Sequence, residues 1–172
     1  NETPLTVLED GSVVFSANIQ QDAQYGDFPG GSQVYRIGPD GGRPELVTSL
    51  QIADMSVAPD GTVIYEDYKG YEDPLRKHHT SSVTRDIWIC VPTAGPSDGL
   101  RIDGISIFTK LSSFKGEDRN PVFTPDGKAY YYLSEQDGTL NIYYSRIPEN
   151  VLVNEEIKPQ QITFYKGNPV RY

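Results

Sequence analysis

The densest run of chemically able side chains in this 172-residue sequence is Arg76-Lys77-His78-His79-Thr80-Ser81-Ser82-Val83-Thr84-Arg85, which holds both histidines of the chain. Adjacent residues on an extended strand point to opposite faces, so His78 and His79 do not readily share a metal ion. No second ligand pair stands at a familiar spacing, and no metal site is predicted. A Ser/His/Asp constellation assembles in space rather than in sequence, but no Gly-x-Ser-x-Gly or similar nucleophile setting occurs. No catalytic residue is assigned. Two readings of the run stay open. It is a long connection whose polar groups bond nearby backbone, or a cationic lip in which Arg76, Lys77, His78, His79 and Arg85 receive an acidic or C-terminal peptide group.

Other candidates read more plainly. Glu117-Asp118-Arg119 has the look of an acid pair, yet the adjacent Arg favours a structural ion pair over general acid-base work. Gly26-Asp27-Phe28-Pro29-Gly30-Gly31 and Gly38-Pro39-Asp40-Gly41-Gly42 are not followed by Lys-Ser/Thr and open no helix, so they are loops rather than phosphate cradles. Cys90, alone in the chain and set in the apolar run Ile87-Trp88-Ile89-Cys90-Val91, reads as a small core residue. No cofactor is predicted.

Charge narrows the partners. The 24 acidic residues exceed the 15 Lys and Arg for a net charge of -9, and basic residues nowhere form a broad patch, so nucleic acid and anionic membrane surfaces fit poorly. No apolar run approaches the roughly 20 residues that span a bilayer. Asn1-Glu2-Thr3-Pro4 lacks the features of a signal peptide, and the only Met is Met55; this start is expected to be a processing boundary.

The elements that must hold these residues are strands. Helical periodicity is absent, while short runs rich in Val, Ile, Tyr and Phe recur between Gly, Pro, Asp and Asn clusters. Three cues repeat in one order. An Asp-Gly turn precedes an apolar strand at Asp10-Gly11, Asp60-Gly61 and Asp126-Gly127, where left-handed backbone closes a hairpin. A polar residue then leads an alternating strand at Gln33, Asp86 and Asn141, with aromatics at Tyr35, Trp88 and Tyr143. A strand carrying Thr48, Thr109 or Thr163 follows.

A recurring order of cues is the mark of a repeat. Each unit reads as one four-stranded antiparallel blade. The predicted fold is all-β, a partial β-propeller filling residues 1–172: blade one at about 5–50, blade two at about 52–114, blade three at about 121–166, and the first strand of a fourth at 168–172. A β-sandwich would also show short strands and turns, without explaining the order of cues. Three blades leave two end faces open, and both are expected to expose apolar residues. Further blades would cover them, or two copies would close a six-bladed ring. Tyr130-Tyr131-Tyr132, with alternate rings on opposite faces, is expected to fill both contacts of its blade.

Ser56-Val57-Ala58-Pro59-Asp60-Gly61-Thr62 and Asn120-Pro121-Val122-Phe123-Thr124-Pro125-Asp126-Gly127-Lys128 resemble the Pro-Asp-Gly repeat of TolB-like and tricorn-like propellers. The stretch from Lys69 to Trp88, with Phe114 to Phe123, is similar to bacterial tricorn-protease-like serine peptidases. The resemblance covers essentially the whole chain; Leu8-Glu9-Asp10-Gly11 departs from it in lacking the Pro. It implies a non-catalytic N-terminal propeller, preceding a PDZ-like module and a peptidase core, that admits peptides and contacts proteins. Its implied partners are the remaining blades, the peptidase core, and peptides or proteins; its implied compartment is the periplasm or the exterior. A free-standing TolB-like binding module of the bacterial envelope is the alternative.

Overall fold

The computed structural model describes residues 2–19, 31–71, 81–92, 100, 102, 106–152, 155 and 157–167. Among them run strands β1 Thr3–Val7, β2 Val13–Ala17, β3 Gln33–Ile37, β4 Glu45–Thr48, β5 Ile52–Val57, β6 Val63–Asp67, β7 Ile87–Val91, β8 Ile107–Lys110, β9 Asp118–Phe123, β10 Ala129–Ser134, β11 Asn141–Arg146 and β12 Gln160–Gln161. They form three four-stranded sheets, β1 to β4, β5 to β8 and β9 to β12, each a simple antiparallel meander. The first strands β1, β5 and β9 lie side by side. A two-layer sandwich is set aside, because the second sheet is enclosed between the first and the third. This is the all-β partial propeller that the repeat predicts; Asn168 to Tyr172, expected to open a fourth blade, lies outside the described residues.

The Asp-Gly cue has one geometry in all three blades. Gly11, Gly61 and Gly127 have φ of 79°, 85° and 67°, a region that side chains with a Cβ avoid. The preceding Asp turns its carboxylate back to accept the N–H of Ser12 at 2.9 Å, Thr62 at 2.9 Å or Lys128 at 3.1 Å. This is the local turn that Asp makes with its own backbone. The first unit closes in the same way without a Pro.

Alternation then sorts the faces. Val14 and Val34 of blade one meet Met55, Val63 and Tyr65 of blade two. Ile64 and Ile87, on the opposite face of blade two, meet Tyr130, Tyr132 and Tyr143 of blade three. Register makes Val14, Ile64 and Tyr131 equivalent positions, paired with Arg36, Ile89 and Tyr144 respectively. Val14 and Ile64 are 0% exposed, each covered by the following blade, whereas Tyr131 is 42% exposed. Tyr131 packs sideways on Tyr144 at 5.4 Å, and Val122, with which it is in register, is exposed. The triple Tyr therefore fills one blade contact and lies open on the other.

The opposite end differs from expectation. Phe15, Ala17 and Tyr35, on the outer face of blade one, are buried. Phe15 and Tyr35 stack at 6.0 Å, and the Tyr35 hydroxyl donates to Gln33 Oε1 at 2.7 Å, so these side chains are withdrawn from water rather than left open. On the flanking strands of this blade, Val7 and Leu46 are exposed.

The Thr cue also needs correcting. Thr163 lies beyond the two-residue β12, where side chains replace ladder bonds. The Ile142 N–H donates to Thr163 Oγ1 at 2.8 Å, and that hydroxyl donates to Asn141 Oδ1 at 3.0 Å. In blade two the same clip is made by Ser112: the Ile87 N–H donates to its Oγ at 3.0 Å, and the hydroxyl donates to Asp86 Oδ1 at 3.1 Å. Thr109 instead donates to the Val151 carbonyl at 2.8 Å, tying blade two to a connection of blade three. The true counterpart of Thr163 is Ser112, outside the strand, where a strand-based alignment does not look.

Turns also meet between blades: a Cβ on Gly127 would lie 3.2 Å from Ala58 Cβ, whereas one on Gly61 would meet nothing within 4 Å. Both Ala substitutions carry the left-handed cost of about 1 kcal/mol, and only Gly127→Ala adds a collision. Urea unfolding is expected to show a lower midpoint for Gly127→Ala than for Gly61→Ala.

Candidate functional site

One end of the junction between blades two and three is polar. Alternation along β6 turns Glu66 inward on the Ile64 face, and it is 1% exposed. Arg85 stands just ahead of β7 and pairs through Nη1 with Glu66 Oε1. Its Nε lies 3.7 Å from Glu117 Oε1, which also receives Arg119 Nε at 2.5 Å. The Tyr68 ring closes the other side of the guanidinium, 5.7 Å from its centre. Arg85 thus bridges two buried carboxylates from different blades.

A bulge in β9 supplies the remaining contacts. Asn120 and Pro121 stand where the register of β9 on β10 shifts, and Asn120 takes a φ of 49°. Bulges re-aim the groups they displace. Here the Asn120 N–H donates to Glu66 Oε2 at 2.8 Å, and its side-chain amide to Asp54 Oδ2 at 2.8 Å. Burial drives the Glu66 carboxyl above its ordinary range; Arg85 and the Asn120 amide offset part of that.

Asp118 is the exposed flank of nothing: it is 1% exposed, and its Oδ1 has no hydrogen-bond partner among the described residues. Burial, then the charges of Asp86 and Glu117, push its pKa up to about 7 against the opposing Ser134 hydrogen bond and Lys110 charge. Lys110 is itself bound to Asp86 at 2.8 Å.

Of the residues singled out in the sequence, Arg76, Lys77, His78 and His79 lie outside the described residues, and Arg85 lies in this network. Within the described part of that run, Thr84 Oγ1 donates to the Ser81 carbonyl at 2.9 Å; from outside it, Lys69 Nζ donates to the Thr84 carbonyl at 2.7 Å. Glu117 and Arg119 form the ion pair expected of them. Glu66, Asn120 and Asp54 went unnoticed. Glu66 had a signal, an acid in register with Ile64 on a strand buried on both faces. Among the described residues, no three His, Cys, Asp or Glu are grouped to hold a metal ion.

Comparison with solved structures places the fold. The chain is similar to a protein assigned as TolB from Agrobacterium tumefaciens, with 20% identity and a TM-score of 0.59, over 92% of this chain and 45% of that one. It is similar to the tricorn protease at 18% identity and a TM-score of 0.65, over 98% of this chain and 14% of that one. Hydrazine synthase from Kuenenia stuttgartiensis follows at 12% identity and a TM-score of 0.50, over 83% and 23%. The chain therefore spans less than half the length of each. No protein-family profile and no curated protein matches the sequence. At these identities the likeness defines a propeller module and its fold.

Two measurements examine the junction. Arg85→Ala leaves Glu66 buried without its cation, a loss that typically costs about 3–5 kcal/mol; chemical denaturation should show a large drop in stability. Asp118 binds its proton more tightly folded than unfolded, so its contribution is greatest below the unfolded value near 3.8 and is lost as pH rises through about 7. Asp118→Asn is expected to flatten stability between those limits and to raise it at pH 8 by on the order of 2–4 kcal/mol, read from urea midpoints across pH.

Proposed function

We propose that this chain is the non-catalytic propeller of a tricorn-like serine peptidase, mediating peptide access and protein contacts. The observation that carries the reading is the match to the tricorn protease, which takes in 98% of this chain but 14% of that one. A module of this size within a larger protease suits an accessory role, with chemistry performed by a peptidase core elsewhere. Arg76, Lys77, His78 and His79 form a cationic lip that receives acidic or C-terminal peptide groups. Arg85 itself is held by Glu66 and Glu117 at the blade two and three junction. The open face of blade three, with Val122 and Tyr131, takes a further blade. A bacterial periplasmic or secreted location goes with this reading.

The likeness to TolB favours a second reading, a free-standing binding module of the bacterial envelope. The two part on whether a peptidase core shares the polypeptide. In a parent peptidase, Arg76→Ala with Lys77→Ala is expected to raise KM for acidic peptides severalfold with kcat unchanged. Unaltered KM would remove the lip, and a parent polypeptide without a peptidase core would favour the second reading.

A further inference from the structure

The junction between blades two and three carries one acid that its ion-pair network does not use. Asp118, the first residue of β9, is 1% exposed, and its Oδ1 has no hydrogen-bond partner among the described residues. The titratable groups that face it come from both blades. Blade two presents Asp86 and Lys110; blade three presents Glu117, Tyr130 and Tyr132 of β10, and Tyr143 of β11. Burial holds all three phenols above the ordinary tyrosine range, so they stay neutral wherever carboxylates titrate.

The cations around it are committed to other acids. Lys110 and Lys69 bind Asp86 at 2.8 and 2.5 Å, Arg119 binds Glu117 at 2.5 Å, and Arg85 bridges Glu117 and Glu66. An ionised Asp118 is therefore a buried charge with no cation of its own beside two further carboxylates, and such a setting favours the bound proton.

The backbone of the same strand ties the two blades together. The Asp118 N–H donates to the Arg85 carbonyl at 3.2 Å, and the Asn120 N–H donates to Glu66 Oε2 at 2.8 Å. On this side β9 lies against β5, β6 and β7, whereas the other face of blade three is open at Tyr131 and Val122. Among the described residues, blade three is held through one junction and blade two through two. A unit held on one side can part from its neighbour without the rest unfolding.

We propose that Asp118 is a proton-operated latch: closing blade three onto blade two buries the neutral acid, and parting the two blades releases one proton to water. The closed junction holds the Asp118 pKa up at about 7 against an ordinary value of 3.8, burial being the chief cause. Parting therefore becomes easier by about tenfold for each pH unit between those values and levels off above the upper one. The latch goes beyond the peptide-handling reading and does not depend on it.

Amide hydrogen exchange of this chain, followed by NMR from pH 4 to pH 8 and corrected for the intrinsic pH dependence of exchange, tests the latch. For the Asp118 and Asn120 amides, the logarithm of the opening constant is expected to rise with pH by about one more per unit in the parent than in Asp118→Asn, and to flatten above about pH 7. The Val63 and Tyr65 amides of β6 should stay more protected throughout. Equal pH slopes in parent and variant overturn the proposal. So do β6 amides that open together with those of β9, since blade three is then no separate unit. Should Asp118→Asn not fold, the carboxyl carbon of Asp118 in the parent decides: a titration midpoint near 7 supports the latch, and one near 3.8 overturns it.

Discussion

A β-sheet whose strands are apolar on both sides is stable only when both sides are covered, and that requirement organises this chain. Blade two satisfies it completely: Val63 and Tyr65 face one neighbour, Ile64 and Ile87 the other, all nearly inaccessible to water. Blade one keeps Phe15, Ala17 and Tyr35 of its outer face buried as well. Blade three leaves Tyr131 and Val122 open, so the three sheets are not energetically equivalent even though their strands are.

The two internal junctions use different physics. Between blades one and two the contact is a continuous apolar cluster around Val14, Met55 and Cys90. Between blades two and three an apolar half built on tyrosines adjoins a polar half built on Glu66, Arg85, Glu117 and Asn120. Apolar packing tolerates small sliding, while hydrogen bonds to a buried carboxylate demand a particular placement. The buried side-chain network between blades two and three holds that pair of blades in a fixed relative position.

Much of the fold was legible because its signals are local. An Asp-Gly pair needs only its own turn to be recognised, and the aromatics Tyr35, Trp88 and Tyr143 announce their strands by alternation. What was not legible depends on distance. Ser112 replaces Thr109 as the partner of Asp86 because a loop hydroxyl, not a strand residue, reaches back to the third strand. The burial of Phe15, Ala17 and Tyr35 on the outer face of blade one could not be foreseen from counting blades. Arg85 was visible as a charge, but its partner Glu66 comes from another strand and Glu117 from another blade, so its commitment to the interior appears only once the sheets are stacked.

The side-chain clips that close the blades bear on how this protein stays in solution. An outermost strand with a long run of unpaired backbone groups invites another chain to pair with it. In blade three that strand is two residues long, and Asn141 and Thr163 take up the backbone groups that would otherwise extend it. The rim therefore offers too little ladder for a foreign strand to copy. In blade three the same polar residues that finish the repeat also keep it from growing sideways into fibrils.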